Sequence, residues 1–403
     1  GCDAESPPKS TAVDDPPTQD GDSDTDADAD TDSDTDSDTD GYETPDPIVP
    51  PSYGEWHRID IPGAVCSNGS QYPIFVNFSE TSDNVVVMFE PGGACWDYEG
   101  CSGKTALGAA NPNGVPDNHM VQNSYLSPLI RRDMSLEDNP MQDWNFVFMP
   151  YCTGDVHTGN NVVTYTDPNG SEPDIVFHHN GHENVDRAAA FLNVQFPTIP
   201  RLMVTGCSAG GAGAIINYHF LRERLNADRG YLLNDSGPIF PSDGWSQPLH
   251  SKIRSSWDVD PILDLLPGDL GADVMENFGA LNGLLADLYP EDRLSTTFFQ
   301  RDYNYSRYSY ENFYDNNSKE EVLSYWKDDT DLMTADYDSY DNLAYYLPYW
   351  RELNTSHCVS IVAYVGTEIE EQDMDLRNFV GELLDDDAPL NSYRESVQAN
   401  EDN

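Results

Sequence analysis

The sequence predicts an α/β fold in which a mostly parallel central sheet carries helices on both faces. Short, continuous apolar runs have the length of buried strands, and each of the first three is followed within two residues by Pro or Gly. Segments with helical spacing, above all 183–196 and 211–225, stand between these runs. Such alternation is typical of a parallel sheet. The predicted strands are 85–89, 146–149, 201–205, 231–233, 296–299 and 344–347.

The most specific motif is Gly206-Cys207-Ser208-Ala209-Gly210, a G-x-S-x-G between a predicted strand and a predicted helix. In α/β hydrolases this motif forms a sharp turn that points the serine hydroxyl out of the sheet, and small neighbours permit the strained backbone. The alternative is a tight turn without chemistry. The strand and helix around the motif favour Ser208 as a nucleophile in an α/β-hydrolase fold.

Backbone amides that can bind an oxyanion are predicted on both sides of this serine. The Ala209 N–H lies at the start of the helix, and Gly93 and Ala94 follow the run 85–89. Glycine lets the backbone approach a substrate carbonyl. The alternative is an ordinary glycine-rich turn. The context favours an oxyanion hole formed by Gly93, Ala94 and Ala209.

An acid and a histidine are expected after the serine, in that chain order. Asp302 follows the run 296–299, and its rival Asp235 follows the run 231–233. Asp302 is preferred because the acid usually lies one strand later than Asp235 would. Of the nine histidines, only His357 lies after Asp302. The predicted triad is Ser208, Asp302 and His357, and the alternative for His357 is a surface position.

The first 52 residues differ from the rest of the chain. Residues 20–40 alternate Asp with small residues, and Pro-rich pieces flank them. Such a segment cannot bury apolar area, so 1–52 is predicted to be a disordered acidic tether and 53–403 an α/β-hydrolase domain. Residues 242–292 are predicted to be a helical cap insertion. The Tyr-rich segment 303–326 is a second insertion, whose rings either pack internally or stack on a substrate.

The formal net charge is −52, and the chain remains strongly acidic without the predicted tether. Such a surface repels nucleic acid and anionic lipid, and it argues against a polyanionic substrate. Only five lysines are present. An Asp-rich, Lys-poor surface favours a saline habitat, where ions screen self-repulsion, with solubility alone as the alternative.

The seven cysteines indicate where in or outside the cell the protein works. Gly1-Cys2 before a long polar stretch resembles the lipidated cysteine of bacterial lipoproteins, with an incidental cysteine as the alternative. The other six are an even number, which suits an oxidising compartment, although buried free thiols are the alternative. Cys95 and Cys101 are predicted to pair, and the other pairings stay open. We expect a secreted or outer-surface protein, attached to a membrane only through Cys2.

Two patterns have metal-binding alternatives. His178, His179 and His182 lack the helical zinc spacing and an acidic partner, so capping and packing at a helix entry are preferred. The Asp tract at 20–40 lacks the turn and fixed ligand geometry of a calcium loop. We expect no metal, no organic cofactor, no nucleic-acid partner and a monomeric chain.

Several longer pieces carry a family resemblance. They are Cys66-Ser67-Asn68-Gly69-Ser70, the run VVVMFEPGGACW from Val85, the element PYCTGDVH from Pro150, the stretch HHNGHENVDRAAAF from His178, GCSAGG around Ser208, and Asn234-Asp235-Ser236-Gly237. In these pieces the chain resembles the pectin acetylesterase and Notum family of α/β-hydrolase carboxylesterases. The resemblance runs from about residue 66 to residue 238.

The resemblance implies specific roles. Ser208 takes the place of the nucleophile, and Gly93, Ala94 and Ala209 lie where the oxyanion hole is built. Asp235 falls in the D-S-G element of the family, which leaves Asp302 for the triad. His357 takes the place of the triad histidine, although the residues around it depart from the family pattern. No metal or organic cofactor is implied.

The expected function is hydrolysis of a carboxylic ester, with acetyl or other short acyl groups removed from a polysaccharide. The resemblance implies this because the family removes acyl groups from sugar hydroxyls or from a lipidated protein side chain. The acidic composition departs from what a polyanion such as pectin would favour. The alternatives are an esterase for longer acyl chains and an inactive surface protein that binds glycans.

Overall fold

A nine-stranded sheet lies at the centre of the computed structural model, which describes residue 42 and residues 44–105, 108–133, 139–315 and 318–397. In chain order, the strands are β1 (Trp56–Val65), β2 (Gln71–Asn77), β3 (Val85–Phe89), β4 (Asn145–Met149), β5 (Asn161–Tyr165), β6 (Ile175–His179), β7 (Arg201–Cys207), β8 (Arg229–Asp235), β9 (Arg293–Thr297), β10 (Leu343–Leu347) and β11 (Tyr393–Arg394). The order across the sheet is β1-β2-β4-β3-β7-β8-β9-β10-β11, and β5 and β6 form a separate antiparallel hairpin.

The sheet is parallel from β4 to β11, and only β1 and β2 run antiparallel to their neighbours. Every residue of β3 and β4 is buried, as expected for strands covered on both faces. The predicted α/β class is therefore confirmed. Because β3, β4 and β7 to β10 are parallel, the loops at their carboxyl ends meet along one edge of the sheet.

Twelve α-helices lie in the described residues. In chain order they are α1 (Tyr98–Cys101), α2 (Met120–Asn123), α3 (Gly181–Gln195), α4 (Ala209–Ile216), α5 (Tyr218–Arg224), α6 (Gln247–Trp257), α7 (Asp260–Leu263), α8 (Leu270–Glu276), α9 (Leu281–Leu288), α10 (Tyr303–Tyr310), α11 (Lys319–Tyr337) and α12 (Leu376–Leu383). None of these helices is long and apolar enough to cross a bilayer.

The predicted helix 211–225 is divided at Asn217 into α4 and α5. The Asn217 amide donates to the carbonyl oxygens of His157 and Gly213, and its side-chain oxygen accepts from His182. A side chain that bonds to nearby backbone competes with the helical pattern. The apolar spacing continues through this position, so the sequence alone did not indicate the break.

No sequence pattern indicated β1, β2 or the β5–β6 hairpin. Polar and charged residues interrupt β1, and alternate residues of β5 are exposed. β1 lies at the edge of the sheet and the hairpin lies outside it, where one face meets solvent, so neither has the continuous apolar runs that mark the central strands. β2 lies inside the sheet between β1 and β4 and is buried, but Pro73 interrupts its apolar run, and proline argues against a central strand.

The two predicted insertions differ in their contacts. Residues 242–292 hold α6 to α9, in agreement with their helical pattern. The Tyr-rich segment forms α10 and the first part of α11, where the rings of Tyr305 and Tyr310 are buried. Tyr308 is partly buried and lines cavities described below.

Most of the predicted tether lies outside the described residues, as do Cys2 and the Asp tract at 20–40. Residues 44–52, which the prediction places in the tether, are described. The backbone N–H of Ile48 donates to Gln195 Oε1 at 2.8 Å, and Gln195 Nε2 donates to the Ile48 carbonyl at 3.2 Å. This part of the segment therefore contacts the end of α3.

Six cysteines form three disulfides, Cys66–Cys152, Cys95–Cys101 and Cys207–Cys358. The predicted Cys95–Cys101 pair is among them. The other two pairs join residues 86 and 151 positions apart, so each closes a long loop of the unfolded chain. One of them, Cys207–Cys358, connects the residue before Ser208 to the residue after His357.

Candidate active site

The candidate residues lie at the carboxyl edge of the sheet. Gly93 follows β3, Ser208 follows β7, Asp302 follows β9 and His357 follows β10. These strands are parallel, so residues more than 250 positions apart in sequence reach one place. The chain order predicted from the motif is thus compatible with a single site.

Ser208 occupies the sharp turn between β7 and α4, with φ 56° and ψ −120°. This left-handed conformation is costly for a residue with a side chain. The Ser208 N–H donates to the Asp235 carbonyl oxygen at 2.8 Å, which holds the turn against the end of β8. A Cβ on Gly206 would overlap the Gly210 carbonyl, and one on Gly210 would overlap the Phe89 carbonyl. Both glycines of the motif are therefore required for packing.

The structure pairs His357 with Asp302 and not with Asp235. His357 Nδ1 donates to Asp302 Oδ2 at 2.8 Å, and the Asp302 side chain is fully buried. Its other oxygen, Oδ1, accepts from the Tyr305 N–H at 3.0 Å and caps the start of α10. Asp302 therefore holds the imidazole through Nδ1, which leaves Nε2 for proton transfer.

The charge environment of His357 favours the protonated ring. Burial lowers the pKa of His357, but the charge and hydrogen bond of Asp302, with a further contribution from Asp235, outweigh it. The net direction is upward. An imidazole beside a buried carboxylate is a stronger base than an isolated one, as a group that removes a serine proton needs to be.

The candidate oxyanion donors come from two loops. Gly93 has φ +68°, a conformation that favours glycine, and its carbonyl accepts from the Tyr151 hydroxyl at 2.9 Å. The Ala209 N–H is the first amide of α4, where no partner exists within the helix. Gly93 and Ala209 line the same cavity as Ser208 and His357, whereas Ala94 is buried and lines a neighbouring cleft.

Asp235 does not bond to the His357 ring and instead contacts the backbone of the segment that follows His357. Its carboxylate accepts from the backbone N–H groups of Val359, at 2.9 Å, and Ser360, at 2.7 Å. It also accepts from the hydroxyls of Ser236 and Ser360. Burial raises the pKa of Asp235, and these donors oppose that rise. Asp235 thus ties the histidine loop, residues 354–365, to the end of β8.

Arg351, which no sequence pattern indicated, binds the carbonyl groups of the same loop. Its buried guanidinium donates to the carbonyl oxygens of Cys358, Ile361, Ala363 and Val365 at 2.9–3.1 Å. An arginine after a strand resembles any surface arginine in sequence.

The Cys207–Cys358 disulfide had one signal in the sequence, because Cys207 directly precedes Ser208 and Cys358 directly follows His357.

The histidine loop needs these restraints because of its backbone. Residues 354, 355, 356, 358 and 362 have φ between 49° and 72°, and none is glycine. Each such residue costs of order 1–3 kcal/mol, so the conformation persists only where the surroundings impose it. Asp235, Arg351 and the Cys207–Cys358 disulfide together supply those surroundings.

Ser208 and His357 open onto one cavity of about 470 Å³. Most of its lining is glycine, alanine, valine and tyrosine. Val156, Tyr305 and Tyr308 form the wall that this reaction cavity shares with a second, much smaller cavity of about 20 Å³. The smaller cavity lies under α6, in the predicted cap insertion.

The three clustered histidines do not converge. His179 bonds to the Thr153 carbonyl and the Tyr165 hydroxyl, and burial lowers its pKa to about 4. His182 bonds to Asn217. Two other His and Cys clusters occur in the described residues, and each consists of a disulfide pair and one histidine. Disulfide sulfurs are not thiolate ligands.

The comparisons with known proteins support the resemblance. A model of the Pectinacetylesterase family matches residues 57–256. The chain is 28% identical over 189 residues to Pectin acetylesterase 4 of Arabidopsis thaliana, covering 43% of this chain and 42% of that protein. It is 26% identical over 166 residues to the palmitoleoyl-protein carboxylesterase NOTUM of Drosophila melanogaster, covering 40% of this chain and 23% of that protein.

The fold has relatives among solved structures. The Wnt deacylase Notum from Drosophila aligns with a TM-score of 0.53 and 16% identity, covering 81% of this chain and 92% of that structure. This likeness bears on the fold alone. The chain spans less than half the length of the two curated relatives it matches. The family match includes Ser208 and Asp235, whereas Asp302 and His357 lie beyond its end.

We expect Asp302→Asn to lower kcat/KM for p-nitrophenyl acetate by about 10³–10⁴-fold, because the amide no longer orients and stabilises the charged imidazole. Asp235→Asn should lose far less on the same substrate, since Asp235 does not contact the ring. Thermal unfolding of both variants controls for folding. A larger kinetic loss in folded Asp235→Asn than in folded Asp302→Asn would assign the triad acid to Asp235.

The pH profile offers a second prediction. Because only the neutral imidazole accepts a proton, kcat/KM should rise with pH as His357 deprotonates, with a midpoint above the ordinary histidine value of about 6.5. Asp235→Asn removes one negative charge near the ring, so its midpoint should move to lower pH. Asp387→Asn, an exposed carboxylate, is the matched control. An unchanged midpoint in Asp235→Asn would contradict this electrostatic coupling.

Proposed function

From the pectinacetylesterase-family region at residues 57–256, we propose that this chain is a serine carboxylesterase that removes acetyl or other short acyl groups from a polysaccharide. The observation that carries the proposal is the convergence of Ser208 and His357 on one cavity, with His357 bonded to the buried Asp302. Curated relatives named as a pectin acetylesterase and a palmitoleoyl-protein carboxylesterase support ester hydrolysis.

The proposed reaction proceeds in two halves. Ser208 Oγ attacks the ester carbonyl carbon while His357 Nε2 takes the hydroxyl proton. The tetrahedral intermediate collapses, His357 gives that proton to the departing alcohol, and an acyl-serine remains. Water then attacks the acyl-serine with His357 as base, which releases the carboxylic acid and restores Ser208. Backbone N–H groups of the Gly93–Ala94 loop and of Ala209 stabilise the oxyanion.

The preference for a short acyl group follows from the wall of Val156, Tyr305 and Tyr308. Beyond this wall only about 20 Å³ of space lies under α6, so a long chain has no open path below the cap insertion. The reaction cavity of about 470 Å³ exceeds the needs of an acetyl group and also has to hold part of the alcohol. That volume is the observation favouring an esterase for longer chains as the second candidate.

The three disulfides support a location outside the reducing cytosol. We propose secretion or display on the outer cell surface, with lipid attachment at Cys2 and the acidic tether as further parts of that proposal. The partner is an acylated carbohydrate that carries the ester. The reaction needs no metal or organic cofactor, because serine, histidine and backbone amides supply each step.

A chain-length series of p-nitrophenyl esters, at low and high salt, tests the function. We expect kcat/KM to be highest for acetate or butyrate, and Ser208→Ala to reduce it by about 10⁴-fold or more. Wild-type inactivity on every ester would leave the inactive glycan-binding protein as the interpretation. Full activity in Ser208→Ala would place the nucleophile elsewhere.

The tyrosine wall is tested by opening it. Tyr308→Ala should raise the ratio of octanoate to acetate hydrolysis by on the order of tenfold, because an acyl chain gains the space that the ring fills. Tyr308→Phe retains the ring and is the matched control. The Tyr308 hydroxyl has no hydrogen-bond partner among the described residues, so its removal should leave the ratio unchanged. An unchanged ratio in a folded Tyr308→Ala would exclude this wall as the limit on acyl length.

A further inference from the structure

A second cleft adjoins the reaction cavity and differs from it in character. It has a volume of about 420 Å³, and it shares Thr105 and Tyr308 with the cavity that holds Ser208. One wall is the small loop closed by the Cys95–Cys101 disulfide, and the other is the outer face of α10. A molecule bound at Ser208 can therefore extend into this cleft.

An aromatic side chain forms part of the cleft. Trp96 is partly exposed there, and its ring is held by Tyr308 at 5.5 Å and Phe313 at 6.1 Å between centroids. Trp257 contacts it from behind and donates its indole N–H to the Cys95 carbonyl at 2.8 Å. An indole face fixed in this way offers a flat apolar surface beside polar groups, the combination that a sugar ring with its C–H face and hydroxyls fits.

The charged residues that line the cleft are mostly acidic. Among the described residues they are Asp97, Glu99 and Glu311, with Arg307 as the single cation. Arg307 already donates to Glu311 at 2.9 Å, one turn further along α10. The nearby Lys104 lies over the Tyr98 ring, 5.1 Å from its centroid, and does not line the cleft. The two uncompensated carboxylates, Asp97 and Glu99, are both exposed on the disulfide loop.

We infer that this cleft is the subsite for the alcohol part of the substrate and that it selects a sugar without a carboxylate. The inference rests on the proposed esterase function. A uronate seated against Trp96 would place its negative charge beside Asp97 and Glu99 with no free cation among the lining residues. An uncharged acylated sugar meets no such repulsion and finds the same aromatic surface and polar rim. The substrate class is therefore an acylated neutral glycan.

The test compares two substrates that differ by one charge, acetylated methyl α-galacturonide and the methyl ester of its C6 carboxylate. We expect kcat/KM to favour the neutral ester by about tenfold at low salt, since charges near a protein surface a few ångströms apart interact on that scale. The preference should shrink as salt is added, because ions screen exposed charges.

A charge reversal in the cleft makes the test specific. Glu99→Lys should bring the ratio of the two kcat/KM values close to one. Glu291→Lys changes the net charge by the same amount at an exposed position before β9, on the opposite edge of the sheet, and should leave the ratio as in the wild type. This pair separates the local effect from general repulsion by the acidic protein.

The outcomes are distinct. Equal rates on the two galacturonides, faster cleavage of the acid, or a ratio that Glu99→Lys leaves unchanged would overturn the inference while p-nitrophenyl acetate hydrolysis kept the esterase function intact. Failure to hydrolyse p-nitrophenyl acetate and both sugars would overturn the esterase function and this inference together. If Glu99→Lys does not fold, Glu99→Gln removes the same local charge with little change of shape, and the ratio should again fall toward one; an unchanged ratio would overturn the inference.

Discussion

The geometry of the site depends on the hydrogen bonds that the buried Asp235 accepts. Its main-chain oxygen accepts from the Ser208 N–H, and its side chain accepts from the N–H groups of Val359 and Ser360. One residue therefore connects the Ser208 turn to the histidine loop. A carboxylate away from water is costly unless donors surround it. These donors come from segments more than 100 residues apart, so the network is satisfied only once the sheet has assembled.

The histidine loop illustrates how an irregular backbone is held in place. Its left-handed residues give up regular hydrogen bonding, and its polar groups need partners elsewhere. Asp235 takes N–H groups, Arg351 takes carbonyl groups, and Cys358 is bonded covalently to Cys207. The negative carboxylate of Asp235 thus binds N–H groups of the loop, and the positive guanidinium of Arg351 binds its carbonyl oxygens. The result places His357 where Asp302, capping α10, can orient its ring.

Two adjoining spaces near Ser208 differ in the chemical character of the residues that line them. The reaction cavity is lined mainly by small and apolar residues, which suit an acyl group, whereas the adjoining cleft combines Trp96 with carboxylates. Tyr308 belongs to both and to the small cavity beneath α6. The acidic character of the whole chain gave a general argument against polyanions. In the cleft, the carboxylates of Asp97 and Glu99 would lie beside a bound sugar, and such nearby charges repel an anionic ligand more strongly than distant, screened charges do.

The sequence by itself determined the parallel sheet, the turn at Ser208 and a short set of candidates for its partners, because these depend on local apolar runs, small residues and chain order. It also indicated the Cys95–Cys101 pair, which is close in sequence. Strand order favoured Asp302 over Asp235, but only the tertiary structure decided which aspartate contacts His357, since both follow apolar strands and the contact depends on what lies beside each. Arg351, the Cys207–Cys358 disulfide and the break at Asn217 likewise depend on neighbours distant in the chain, and no local pattern encodes them.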